Sequence, residues 1–295
     1  MLSAKNSSQG LRRAKFAGSW YPKNPKGLED LLGQAFSLVK GQPPSSTCAL
    51  LPHAGLSYSA LGMADFFYDL PPQAERLVLL APSHTTSLNP DQLVGGDFTS
   101  YATPLGNVEG FSLRHVHKGF DQAIEREHAV EMVLPFIAYL NKKREKKIAY
   151  SPALISKVTN GFALAEICDN LVADIGHDEL KSGRTLLVAS SDFTHYGRRF
   201  GYDPYARLEK SAQREKVKED DLVLARLLAE GKSEEALAFS HDKKLTICGI
   251  APSAIVSEIA KRLHLKGTIA SYYNSYDIAP SSDDSFVAYS TILWR

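Results

Sequence analysis

Three short polar turns hold most of the side chains able to do chemistry. Pro52-His53-Ala54-Gly55, Pro82-Ser83-His84-Thr85 and Ser190-Ser191-Asp192-Phe193-Thr194-His195-Tyr196-Gly197 each follow directly on an apolar run. Neutral imidazole is a ligand for zinc, iron and copper, and a thiolate is a softer one that favours those ions over magnesium and calcium. Two histidines and one anionic ligand leave coordination positions open, which catalysis needs and a structural site lacks. Asp192 and His195 are three residues apart and can set a carboxylate and an imidazole beside one site, as acid, base or supporting partner. His128 and Glu131 have the same spacing and share a face if their segment is helical.

Spacing alone does not make this a metal signature. There is no His-Glu-x-x-His and no Cys-x-x-Cys, and each histidine by itself reads more readily as a satisfied buried or surface residue. The three cysteines are sparse and far apart, which argues against a disulfide framework and for a reducing, cytoplasmic setting. Cys48 in an apolar run and Cys168 in an amphipathic one read as core thiols. Cys248 sits in Thr246-Ile247-Cys248-Gly249, just before a helix start that would lower a thiol pKa. Its plainer reading is a buried cysteine beside a glycine that serves a tight turn.

The elements that must position these turns alternate strand and helix, the pattern of βαβ units and a largely parallel sheet covered on both faces. Strands are expected at 48–51, 76–81, 148–155, 185–190, 268–273 and 285–293, and Pro152 confines the third to an edge or ends it early. The last is apolar on both faces and reads as interior. Helices are expected at 27–39, 128–140, 162–175, 220–230, 233–240 and 251–263, with Pro135 kinking or bounding the second. In an open parallel sheet the carboxyl ends of the strands share one side, so the three polar turns converge there.

Composition bounds the rest. The 295 residues carry 34 basic and 33 acidic side chains, a balance unlike that of a nucleic-acid binder. The basic run from Lys142 to Lys147 reads as a solvated helix end. No apolar run reaches the ~18–20 residues that span a bilayer. Residues 1–16 hold Lys5, Arg12, Arg13 and Lys15 with no acid, a composition shared with mitochondrial transit peptides; their shortness and Gly10 favour a disordered tail. A single α/β domain is expected over 17–295.

Six segments in order carry a resemblance to a known family: Ala17-Gly-Ser-Trp-Tyr-Pro22, Pro52-His-Ala-Gly55, Pro82-Ser-His84, Glu127-His-Ala-Val-Glu131 with Leu134-Pro135, Ser190-Ser-Asp-Phe-Thr-His195 and Thr246-Ile-Cys-Gly249. Together they resemble the Memo family, named for the mediator of receptor-driven cell motility. The resemblance implies a three-layer α/β sandwich similar to the class III extradiol ring-cleaving dioxygenases, whose iron(II) is held by two histidines and a glutamate. In the Memo family a cysteine takes the carboxylate's place. Carried over, His53, His84 and Cys248 would hold iron or copper, with zinc possible and no nucleotide cofactor. His195 would be the acid–base group beside Asp192. His128 and Glu131 would lie near the pocket. Exchanging carboxylate for thiolate alters metal preference and adds an oxidisable ligand, so likeness of fold does not license ring cleavage. The resemblance implies either a redox protein acting on an unknown small molecule or a signalling module whose cleft takes a phosphotyrosine peptide. Trp20, Tyr196, Arg198 and Arg199 would then line that cleft. A zinc-dependent hydrolase is a third reading.

Overall fold

The computed structural model describes residues 10–41, 45–280 and 283–295. Its centre is a seven-stranded sheet. In chain order the strands are β1 (Cys48–Leu51), β2 (Arg76–Ala81), β3 (Ala149–Leu154), β4 (Thr185–Ser190), β5 (His195–Tyr196), β6 (Gly267–Asn274) and β7 (Phe286–Trp294). They lie in the order β3-β2-β4-β1-β7-β5, with β6 also paired to β7. The four strands β3, β2, β4 and β1 are mutually parallel, and β7 joins them antiparallel to β1. β1, β2 and β4 fall where the apolar runs predict them. β3 is an edge strand, so the amide that Pro152 lacks costs the sheet little. β7 is interior, as its two apolar faces require.

Alternate strand residues feed two cores, because successive side chains point to opposite faces. Ala49, Leu51, Leu77, Leu79, Leu186 and Val188 face helices α1 (Pro25–Ser37), α2 (Leu56–Phe67) and α3 (Leu134–Asn141). Leu50, Val78, Leu80, Leu187 and Ala189 face α4 (Gly161–Ile175), α5 (Lys210–Ala229), α6 (Ser233–Asp242) and α7 (Ile250–Arg262). Cys48 and Cys168 are fully buried in the second core. Among the described residues no helix is long and apolar enough to cross a membrane.

Four expectations change. The helix expected at 128–140 begins only at Leu134, with Pro135 in its first turn, where a missing amide is harmless. His128 through Val133 therefore form turns, and His128 and Glu131 do not share a helical face. Helix α5 starts at Lys210, ten residues before the expected start, because Lys, Glu, Gln and Arg are good helix formers and Gln213 and Val217 extend its buried face toward the N-terminus. Helix α2 was not expected: most of its positions are buried, so it shows no amphipathic stripe.

The fourth change is at the N-terminus. Residues 1–9 of the expected tail lie outside the described residues. Leu11–Arg12, however, is a strand parallel to Ser100–Tyr101, and Arg12 is fully buried. The ordered fold therefore begins before residue 17. The basic run after α3 is spent locally: Lys142 meets Glu29, Lys146 meets Glu75, and Arg144 donates to the carbonyls of Pro71, Pro72 and Ala74.

Candidate metal centre

Because β1, β2 and β4 are parallel and in register, their carboxyl ends deliver His53, His84 and the Ser190–His195 turn to one edge of the sheet. His128 reaches the same place from the turn before α3. The ligand atoms of His53, His84 and His128 lie within 4.8 Å of one another. The ring centroids are 5.2 Å apart for His53 to each of the others and 4.5 Å apart for His84 to His128.

Two of the imidazoles are hydrogen-bonded at Nδ1, and the third has a carboxylate close to its Nδ1. His53 Nδ1 is 2.8 Å from Ser190 Oγ, and that hydroxyl donates its own proton to Ala129 O at 3.1 Å. The serine oxygen can then only accept, so His53 carries its proton on Nδ1 and leaves a lone pair on Nε2. His84 Nδ1 and His128 Nδ1 both face Glu127 Oε1, at 2.8 and 3.2 Å. Glu127 also takes the amides of His84 at 2.6 Å and Ala129 at 3.1 Å. One fully buried carboxylate thus orients the His84 ring by a hydrogen bond and faces the His128 ring as a charge. This is the supporting arrangement that fixes ring and tautomer in metal sites.

Burial disfavours charge on the His53 and His128 rings. Burial, then repulsion from His128, His84 and His195, pushes the His53 pKa well below its ordinary value. Burial drives His128 down to about 4, with Glu127 opposing and His84 and His195 adding to the fall. For Glu127, burial alone would raise the pKa. The bonds from His84 and the charges of His84 and His128 outweigh it and hold the carboxyl below its usual range. Three imidazoles converging from a buried His53 through a half-buried His128 to an exposed His84 are a donor set that fits zinc, iron or copper.

Cys248 is not in that mutually close group. Its Sγ lies 3.2 Å from His53 Nε2 and accepts the Asp192 amide at 3.3 Å. Burial and the nearby Asp192 push the thiol pKa up, so the expected lowering by the helix start does not hold. Gly249 permits the approach: a Cβ there would sit 2.4 Å from Ser190 O.

Asp192 points its Oδ1 at the amides of His53 and Ala54, at 2.8 and 3.2 Å, and so holds the first turn in place. Burial raises its pKa against those bonds. His195 is tied to the Cys248 loop, with its amide on Thr246 Oγ1 and its Nδ1 on Thr246 O, both at 3.0 Å. Trp20 packs against His128 with centroids 4.3 Å apart and the rings tilted by 31°.

Two candidates fall elsewhere. Tyr196 packs on Phe286 in a satellite cluster with Val217. Glu131 turns away from His128 and accepts from Arg12, Tyr21 and the amides of Lys15 and Phe16. Glu127 and Ser190 were not singled out from the sequence. Their only signal was membership of the quoted segments, which does not say what their oxygens accept.

Comparison with known proteins bears on the same residues. Residues 12–293 match the family described as Memo-like protein. The chain is 30% identical to a MEMO1 family protein of Pyrococcus furiosus, covering 97% of this chain and 99% of that one. It is 28% identical to the memo-1 homolog of Caenorhabditis elegans, covering 98% and 84%. It is 26% identical to Protein MEMO1 of Xenopus laevis, covering 94% and 95%.

Proposed function

The chain belongs to the Memo-like family, and on that premise we propose that it is a metal-dependent redox protein whose ion is held by His53, His84 and His128, with Cys248 as a further donor beside His53. The carrying observation is the convergence of three imidazoles at the carboxyl edge of the sheet, with Nδ1 of His53 and of His84 already hydrogen-bonded. Bound iron or copper would supply electron transfer, and zinc would supply only Lewis acidity. The protein's own residues do the rest. Asp192 fixes the His53 turn through two amides. His195 gives its Nδ1 proton to Thr246 O, which leaves Nε2 as the base toward a small-molecule substrate. The fold supports the same reading: a sheet flanked by helices, with its site at the carboxyl edge, agrees with the three-layer sandwich of the class III extradiol dioxygenases.

Anaerobic loading with iron, copper and zinc tests this. His53→Ala is expected to lose both metal and redox turnover, and retention of full metal binding in that variant would sink the reading. A second reading, capture of a phosphopeptide, has one observation in its favour: Arg198 and Arg199 are exposed immediately past His195. It predicts peptide affinity that chelators leave unchanged.

A further inference from the structure

Arg12 is fully buried, and its guanidinium spends five N–H donors on five hydrogen bonds. Nε donates to Ile124 O at 3.0 Å. Nη2 donates to Glu125 O at 3.3 Å and Glu127 O at 3.1 Å. Nη1 donates to Arg13 O at 3.2 Å and to Glu131 Oε2 at 2.5 Å. Three of these acceptors are carbonyls at or just past the end of the short helix Asp121–Arg126, leading directly into Glu127 and His128.

The ion pair has a second consequence. Glu131, held by Arg12, also accepts the Lys15 amide at 3.1 Å, the Phe16 amide at 2.9 Å and the Tyr21 hydroxyl at 2.5 Å. Those bonds fix the segment that lays Trp20 against His128. One side chain therefore holds the backbone of Glu127, whose carboxylate hydrogen-bonds His84 and lies beside His128, and anchors the aromatic ring that packs on His128. His53 stands further from this network: its Nδ1 rests on Ser190, which comes from the central sheet and meets the held turn only through Ala129 O.

We propose that Arg12 is a positioning residue of the three-histidine cluster: it sets His84 and His128 through Glu127 and Trp20, and leaves His53 to Ser190. Lysine cannot replace it. A lysine keeps the charge but offers three donors from one point, where the guanidinium reaches four carbonyls and a carboxylate in a fixed fork.

The test compares wild type with Arg12→Lys by nitrogen NMR of the imidazoles in metal-free protein, by zinc titration and by thermal melting. Only the zinc arm rests on the metal reading above. In the variant His84 and His128 are expected to lose their single Nδ1–H signature, His53 to keep its own, and zinc affinity to fall about 10-fold. A lowered melting temperature with all three signatures intact would overturn the proposal, since Arg12 would then serve the fold alone. If the wild type takes up no zinc, the metal reading fails by itself and the ring signatures still decide the role of Arg12. If Arg12→Lys does not fold, Glu131→Gln carries the same measurements. Selective change at His84 and His128 would support the proposal there, and unchanged rings would overturn it.

Discussion

Two corners of this molecule each bury a carboxylate completely and put it to opposite use. At the three-histidine cluster, Glu127 accepts from the His84 imidazole and two amides and lies 3.2 Å from His128 Nδ1, and its pKa falls below the usual range despite burial. Below the antiparallel half of the sheet, Asp221 on α5 accepts from two hydroxyls, Thr194 at 2.6 Å and Tyr272 at 2.9 Å, and from the Thr194 backbone, all of them neutral donors. Burial then wins, and the Asp221 pKa is pushed up to about 7. Desolvation disfavours both charges; only the corner with groups able to carry a positive charge offsets it. Glu127 is therefore a charged support for ligands. Asp221 is a carboxyl near neutrality that pins the turn carrying His195.

The largest expected effect comes from removing the first of these. Glu127→Ala leaves the His84 ring N–H and two amides without their acceptor and removes the carboxylate beside His128. It should cost about 3–5 kcal/mol of stability and lower zinc affinity by about 100-fold. Unchanged denaturation and titration curves would break the comparison on the Glu127 side.

Asp221→Asn has a smaller effect with a definite sign. In the unfolded chain Asp221 ionises near pH 3.8, whereas in the fold it stays protonated until about 7. Its contribution to stability is present below pH 3.8 and is lost as pH rises through 7. The variant does not titrate there, so it should gain on the wild type between pH 4 and 7. The swing is roughly 2–4 kcal/mol, from about three units at 1.36 kcal/mol each as an upper bound. A stability difference flat across that range would show that Asp221 is ionised throughout.

Thr194→Val should be the mildest change. It removes one hydroxyl donor to Asp221, for a loss of about 1 kcal/mol, and should move the Asp221 titration further up. A downward movement would contradict the account of that corner.

The framework of this comparison was legible in the sequence. The apolar runs at 48–51, 76–81 and 185–190 are strands, and parallel pairing brings His53 and His84 together at their ends. The third histidine was legible as a neighbour of the pocket and not as a member of the cluster. Placing it there required Pro135 to stop the helix short, so that the His128 turn could swing inward. Glu127, Asp221 and Arg12 were not readable as site-building residues. What a carboxylate or guanidinium does depends on which amides, carbonyls and hydroxyls arrive from distant segments, and backbone groups have no sequence signature. Arg12 shows this most sharply: in a basic, acid-free stretch it reads as a tail charge, yet four of its five acceptors are carbonyls.

The most direct measurement is X-ray absorption on anaerobically zinc-loaded wild type, His128→Ala and Cys248→Ser proteins, counting imidazoles around the ion. The account predicts three imidazoles in the wild type and in Cys248→Ser, and two or no bound ion in His128→Ala. Two imidazoles in the wild type, unchanged by His128→Ala, would contradict it and return the third place to Cys248.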